Sequence, residues 1–107
     1  MKTLKFIGSS QDDLRDFPLE ARREAGFQLH SVQNGLDPKD WKQLDTVGSG
    51  AKEIRIHIQG EWRIVYVAKF YDAIYVLHAF RKKSRKTSRK DIELARKRYK
   101  QIGGVYD

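Results

Sequence analysis

From Glu53 to Gln59 apolar and polar residues alternate without a break. Ile54, Ile56 and Ile58 fall on one side and Arg55, His57 and Gln59 on the other. A period of two sends successive side chains to opposite faces of a strand, so the segment predicts a half-buried β-strand. Two further runs, Trp62 to Phe70 and Ala73 to Phe80, are rich in the β-branched and aromatic residues that suit strands. Gly60 with its neighbours predicts one hairpin turn, and Tyr71-Asp72 a second, tight one. A three-stranded antiparallel meander therefore occupies the middle of the chain, and the remaining elements must pack against it. In the second and third runs apolar residues fall on both parities, which leaves open which face is covered.

The flanks supply helices. Residues 3–8 read as a first strand. Ser9-Ser10-Gln11-Asp12 offers capping hydroxyls and early acids for a short helix from Gln11 to Asp16. Pro18 suits the first turn of a second helix, where its missing N–H costs nothing. Ala21, Ala25, Leu29 and Val32 then form one apolar stripe, which Asn34-Gly35 stops. Leu36 to Gly50 reads as a connecting loop pinned by Trp41 and Leu44. In the last helix, Ser88 and Asp91 resemble a capping box, Ile92, Ala95, Tyr99 and Ile102 line one face, and Gly103-Gly104 ends it. The expected fold is α+β in the order β-α-α-β-β-β-α. A small antiparallel sheet carries the N-terminal helices on one face and basic residues around the other. The 107 residues fit one domain, 1–107.

Charge is distributed unevenly. Arg81 to Lys100 holds eleven Lys or Arg against two acids, whereas the rest of the chain is almost balanced. A concentrated basic segment favours a polyanionic partner, nucleic acid first and a membrane surface second, over a merely solvated face. No apolar run approaches the roughly 20 residues of a membrane span. The N-terminal apolar stretch is too short and interrupted for a signal peptide. There is no cysteine, which rules out disulfides and thiolate chemistry and suits a reducing, cytoplasmic setting.

No phosphate-binding glycine loop, HExxH motif or His–carboxylate ligand set is present, so neither a metal nor another cofactor is expected. His30, His57 and His78 lie apart and read as ordinary surface or core residues. What remains is a set of cations on strands. Arg55 and Arg63 sit on adjacent strands of the first hairpin. If Ile64, Tyr66 and Ala68 join the isoleucines in the core, Arg63, Val65, Val67 and Lys69 share the open face with Arg55. Two converging guanidinium groups would fork a phosphate; alternatively they merely keep exposed β-surface soluble. The third strand empties into Arg81-Lys82-Lys83-Ser84-Arg85-Lys86, which makes a localised positive bowl. Trp62, Tyr66, Phe70 and Phe80 are interleaved nearby, as core residues or as the stacking platforms that single-stranded RNA binders pair with cations.

The runs Glu53-Ile54-Arg55-Ile56, Trp62-Arg63-Ile64-Val65-Tyr66, Val76-Leu77-His78-Ala79-Phe80-Arg81-Lys82-Lys83, Thr87-Ser88 and Ile92-Glu93-Leu94-Ala95 resemble the RelE/ParE toxin superfamily, most closely its phage-derived, HigB-like branch. The resemblance covers nearly the whole chain. It implies the toxin of a type II toxin–antitoxin system, a ribosome-dependent mRNA endonuclease. In that chemistry the ribose 2′-OH attacks the adjacent phosphate without a metal. It also implies catalytic roles for Arg63, Arg55 and Lys82, with Lys83 as a second match to the last position and Tyr99 as a loose counterpart of the family's C-terminal tyrosine. His78 or His57 could serve as acid or base. RNA contacts would come from Lys69, Arg81, Lys83, Arg85, Lys86, Trp62 and Tyr66. The partners implied are mRNA on the ribosome and a small antitoxin, in this branch usually a helix-turn-helix DNA-binding protein. Two other functions predict the same basic surface: a ParE-like gyrase poison, and a non-catalytic nucleic-acid-binding module.

Overall fold

The computed structural model describes residues 1–106, with side chains as far as Ile102. Eight elements follow one another: β1 (Thr3–Phe6), α1 (Ser10–Arg15), α2 (Leu19–Gln33), β2 (Trp41–Gln43), β3 (Ala51–Ile56), β4 (Trp62–Val67), β5 (Ala73–Arg81) and α3 (Arg89–Tyr106). The strands form one five-stranded sheet in the order β1-β5-β4-β3-β2. The expected meander is there as β3, β4 and β5, antiparallel throughout.

The sheet is mixed, which corrects the all-antiparallel expectation. β1 runs parallel to β5, with Leu4 opposite Ile74 and Phe6 opposite Val76. α1 and α2 separate β1 from the meander, so no hairpin dictates its direction. A second correction adds a strand: three residues of the expected loop, Trp41 to Gln43, pair antiparallel with β3 at the sheet edge. β3 also ends at Ile56, so His57 and Ile58 belong to the turn, where Gln59 and Gly60 both take positive φ. The last helix runs on through Gly103-Gly104 to Tyr106. Two glycines cost a helix about 1 kcal/mol each relative to alanine but do not break it.

One face of the sheet is apolar across its width. Ile54, Ile56, Ile64, Tyr66, Ile74 and Val76 pack there against Leu14 and Phe17 and against the α2 stripe of Ala21, Ala25, Leu29 and Val32. The two N-terminal helices therefore lie on one face, as the alternation in β3 requires. The opposite face is divided. One half, built from Ala51, Val65, Val67, Tyr75 and Leu77, is buried under Ala95 and Ile102 of α3. The other half is polar and carries Glu53, Arg55 and Arg63.

A bulge marks the boundary between these halves. Val65 pairs with His78 but Tyr66 with Val76, so the register passes over Leu77. Arg98 of α3, itself buried, donates from Nη1 to the Leu77 carbonyl at 2.9 Å and from Nη2 to Ser9 Oγ at 3.1 Å. A side chain on Gly8 would stand 2.6 Å from Arg98 Nε, so glycine is what admits the guanidinium.

Candidate functional site

Strand register assembles the polar half. Arg55 on β3 lies directly opposite Arg63 on β4, and Arg63 lies opposite Phe80 on β5. Lys42 on the edge strand lies opposite Glu53. β4 is the middle strand of the meander, so the backbone of Arg63 is fixed on both sides. Like charges directly across a ladder repel, and here carboxylates offset the repulsion. Arg63 Nη2 is 3.1 Å from Glu61 Oε1, and its Nε is 3.7 Å from Glu53 Oε1. Arg55 Nη1 is 3.9 Å from Asp40 Oδ1.

Burial grades these groups. The Glu53 side chain is 0% exposed and that of Arg63 5%, while that of Arg55 is 33% exposed. The roof is the segment between β5 and α3: Thr87 Oγ1 donates to Glu53 Oε2 at 2.9 Å, and the Lys82 backbone N–H donates to the Glu61 carbonyl at 2.7 Å. Glu53 Oε1, Arg63 Nε and Arg55 Nε are buried without a hydrogen-bond partner among the described residues. The buried ion pair is thus charge-matched but not fully hydrogen-bonded. Lys82 is half-buried at the rim, and its amine is pushed below the usual lysine range, first by desolvation and then by the Arg63 charge. An arriving phosphate would meet Arg55 and Lys82 first; Arg63 reaches it only where its carboxylates yield. In this arrangement Glu53 and Lys42 join Arg55, Arg63 and Lys82. Neither of the two stands out in the sequence, although Glu53 shares strand parity with Arg55.

Several other expected residues lie elsewhere. Tyr66 is 1% exposed within the helix-packed core, and Trp62 packs at 4.7 Å on Phe17 with its Nε1 donating to the Ile58 carbonyl, so neither faces the arginine side. Arg81 lies over the Trp62 ring on that same helix-packed side. Lys69 stands beyond the end of β4 beside Phe70 and Tyr99, and Val65 and Val67, expected to share its open face, are covered by α3. Tyr99 is also at that end, its hydroxyl donating to the Ser49 carbonyl at 2.7 Å. Lys83, Arg85 and Lys86 are exposed on the roof segment beside the cluster.

The histidines divide as well. His78 is buried, stacked on Phe80 at 4.5 Å, with Nε2 2.7 Å from Asp91 Oδ1 on α3. Burial lowers its pKa despite the Asp91 contact, and its ring lies against α3 rather than among the cations. His57 lies outside the core between Asp40 and Glu61. A cleft of about 730 Å³ lies on the α2 side among Lys2, Gln33, Asp37, Lys52 and Tyr66 and includes none of the arginines. Among the described residues no group of three or more His, Asp or Glu could hold a metal ion, and no helix is long and apolar enough to cross a membrane.

Residues 12–100, which contain the whole cluster, match the family described as phage-derived protein Gp49-like (DUF891). The chain belongs to this family. It is related to the RelE/HigB-type toxins, in agreement with the resemblance carried by the β3, β4 and β5 runs. No curated protein matches the chain significantly.

Proposed function

We propose that this Gp49-like chain is the toxin of a toxin–antitoxin pair and acts in the cytoplasm as an endoribonuclease on mRNA engaged by the ribosome. The observation that carries the reading is the cross-strand pair Arg55–Arg63 with Lys82 at its rim, on the polar half of the sheet face and beside the exposed Lys83, Arg85 and Lys86. Guanidinium groups on paired strands are preorganised, and preorganised cations are what a developing phosphorane charge needs. In the proposed step the 2′-oxygen bonds to phosphorus and the 5′-oxygen leaves, giving a cyclic phosphate and a 5′-OH. Arg55 and Arg63 take the phosphorane charge. Lys82, with its lowered pKa, donates the proton that the 5′-oxygen requires. On this reading Glu53, whose Oε1 has no hydrogen-bond partner among the described residues, takes the 2′-OH proton. The antitoxin, a helix-turn-helix DNA-binding protein on this reading, covers the basic roof with acidic side chains.

One observation favours a second reading. Arg63 is engaged by Glu53 and Glu61, as in a purely structural ion pair, which suits a non-catalytic RNA-binding module. Mapping mRNA ends in a translation reaction separates the two. Arg55→Ala, Lys82→Ala and the charge-keeping Arg63→Lys should each lose about 10²–10³ in cleavage rate while still binding ribosomes. A wild-type protein that binds RNA and never cuts establishes the binding module. Inhibition of gyrase supercoiling with intact mRNA establishes the ParE-like activity instead.

A further inference from the structure

Two of the carboxylates that neutralise the arginines meet at one imidazole. His57 Nε2 is 2.7 Å from Asp40 Oδ2, and its Nδ1 is 2.8 Å from both oxygens of Glu61. The same Asp40 faces Arg55, and the same Glu61 faces Arg63. Five side chains therefore form one chain of contacts: Arg55, Asp40, His57, Glu61, Arg63. A neutral imidazole has one N–H and one lone pair, so it can donate to only one carboxylate and would set its lone pair against the other. Both contacts are favourable only for the imidazolium.

We propose that His57, as the imidazolium, is a positioning residue that competes with Arg55 and Arg63 for Asp40 and Glu61 and so leaves the arginine pair freer to take an RNA phosphate. The proposal rests on the reading of that pair as a phosphate site. Without a positive ring between them, the two half-exposed carboxylates divide between water and the arginines, and there they compete with the phosphate for the same N–H donors. The ring is accessible enough to titrate: its side chain is 51% exposed. It borders a cleft of about 370 Å³ lined by Glu24 and Gln28 of α2, Lys39 and Asp40 ahead of β2, and Arg55 of β3. The charged groups facing it are thus Glu24, Lys39 and Asp40 on one side and Arg55, Glu61 and Arg63 on the other. Its pKa is raised above 6.5, chiefly by the hydrogen bond to Asp40 and next by that to Glu61. The clamp therefore operates below that raised pKa and is lost as pH climbs through it. By reciprocity, a phosphate that favours the imidazolium must in turn make His57 harder to deprotonate.

The test is binding of a 2′-O-methyl oligoribonucleotide, which cannot be cut, to the full chain at pH 6 and pH 8.5, beside an NMR titration of the His57 ring. Wild-type affinity should fall about two- to fivefold between the two pH values, the scale of a partly exposed ionic contact. His57→Gln should bind weakly at both. His57→Lys, positive throughout, should bind tightly at both, which isolates His57 from Lys82 because Lys82 is unchanged in every arm. The oligonucleotide should also shift the His57 titration upward. A His57→Gln protein that binds like the wild type at pH 6, or a titration that RNA leaves in place, overturns the clamp. The reading beneath it is checked by Arg55→Ala in the same assay: undiminished binding there removes the phosphate site itself, whereas weakened binding with an innocent His57→Gln removes only the clamp.

Discussion

Replacing Arg63 with alanine should unfold this protein more readily than any other single charge deletion on the sheet. The Glu53 side chain is 0% exposed, and its nearest cation is Arg63, whose own side chain is 5% exposed. Removing the guanidinium leaves a carboxylate in the interior with one hydrogen bond, from Thr87. Breaking a buried pair by deleting one partner costs about 3–5 kcal/mol, because the survivor keeps its desolvation penalty and loses its compensation. The exposed Glu61 contact adds little, since partly exposed pairs are worth about 0–1 kcal/mol. With a denaturant slope of roughly 2 kcal/mol/M for a chain of this size, the urea midpoint should fall by about 1.5–2.5 M. The paired substitution Glu53→Gln with Arg63→Met removes both charges and should recover most of that loss. Equilibrium urea unfolding followed by circular dichroism measures both. An Arg63→Ala midpoint within about 0.5 M of wild type, equivalent to about 1 kcal/mol on that slope, would refute the reasoning, because it would mean that Glu53 is solvated or neutral without its partner.

His78 should make the fold less stable in mild acid. Its pKa is lowered, so its contribution is full above 6.5 and is lost as pH falls below it; urea midpoints at pH 7.5 and pH 5 should differ less in His78→Gln than in wild type. Arg98→Ala strands the Leu77 carbonyl at the bulge and should cost about 1–3 kcal/mol in the same assay. Replacing Lys83, Arg85 and Lys86 with serine should flatten the dependence of RNA affinity on salt, lowering the slope of log K against log salt by about 2, since each lost single-strand phosphate contact removes about 0.7. An unchanged slope would place the RNA away from the roof segment.

The meander is legible in the sequence because an uninterrupted period of two fits a strand and not a helix, and Ile54, Ile56 and Ile64 lie where that period puts them. What is not legible depends on partners distant in sequence. Trp41 to Gln43 make a strand only because β3 offers an edge, and three residues carry no period of their own. The direction of β1 rests on which strand it meets, not on its own residues. Trp62 and Tyr66 have two readings on parity alone, and the register with Ile56 and Val76 sends them to the core. The extra residue at Leu77 cannot be seen in a run whose neighbours are nearly all apolar, yet it decides which faces His78 and Phe80 take. Arg98 reads as one more cation in a basic stretch, and only the bulge carbonyl beneath it gives it a structural task.

The divided face of the sheet bears on function through its energetics. Glu53 and Arg63 form a buried ion pair, and such a pair is often neutral or worse for stability than an apolar pair of the same volume. In this pair Glu53 Oε1 and Arg63 Nε lack hydrogen bonds among the described residues, which leaves part of the desolvation cost uncompensated. The neighbouring half of the same face shows the apolar solution at work, with Val65 and Val67 sealed under α3. Packing therefore does not require the charges. Their incomplete bonding has a second consequence: Arg55 Nε and Arg63 Nε are donors short of an acceptor, and a phosphate diester offers negative charge and acceptor oxygens. The polar half is roofed by the Lys82–Thr87 segment rather than by a helix, held to the sheet by the Thr87 bond to Glu53 and the Lys82 bond to the Glu61 carbonyl. Incompletely bonded charges beside a basic segment are the kind of arrangement found at functional sites, which supports the proposed reading of the polar half.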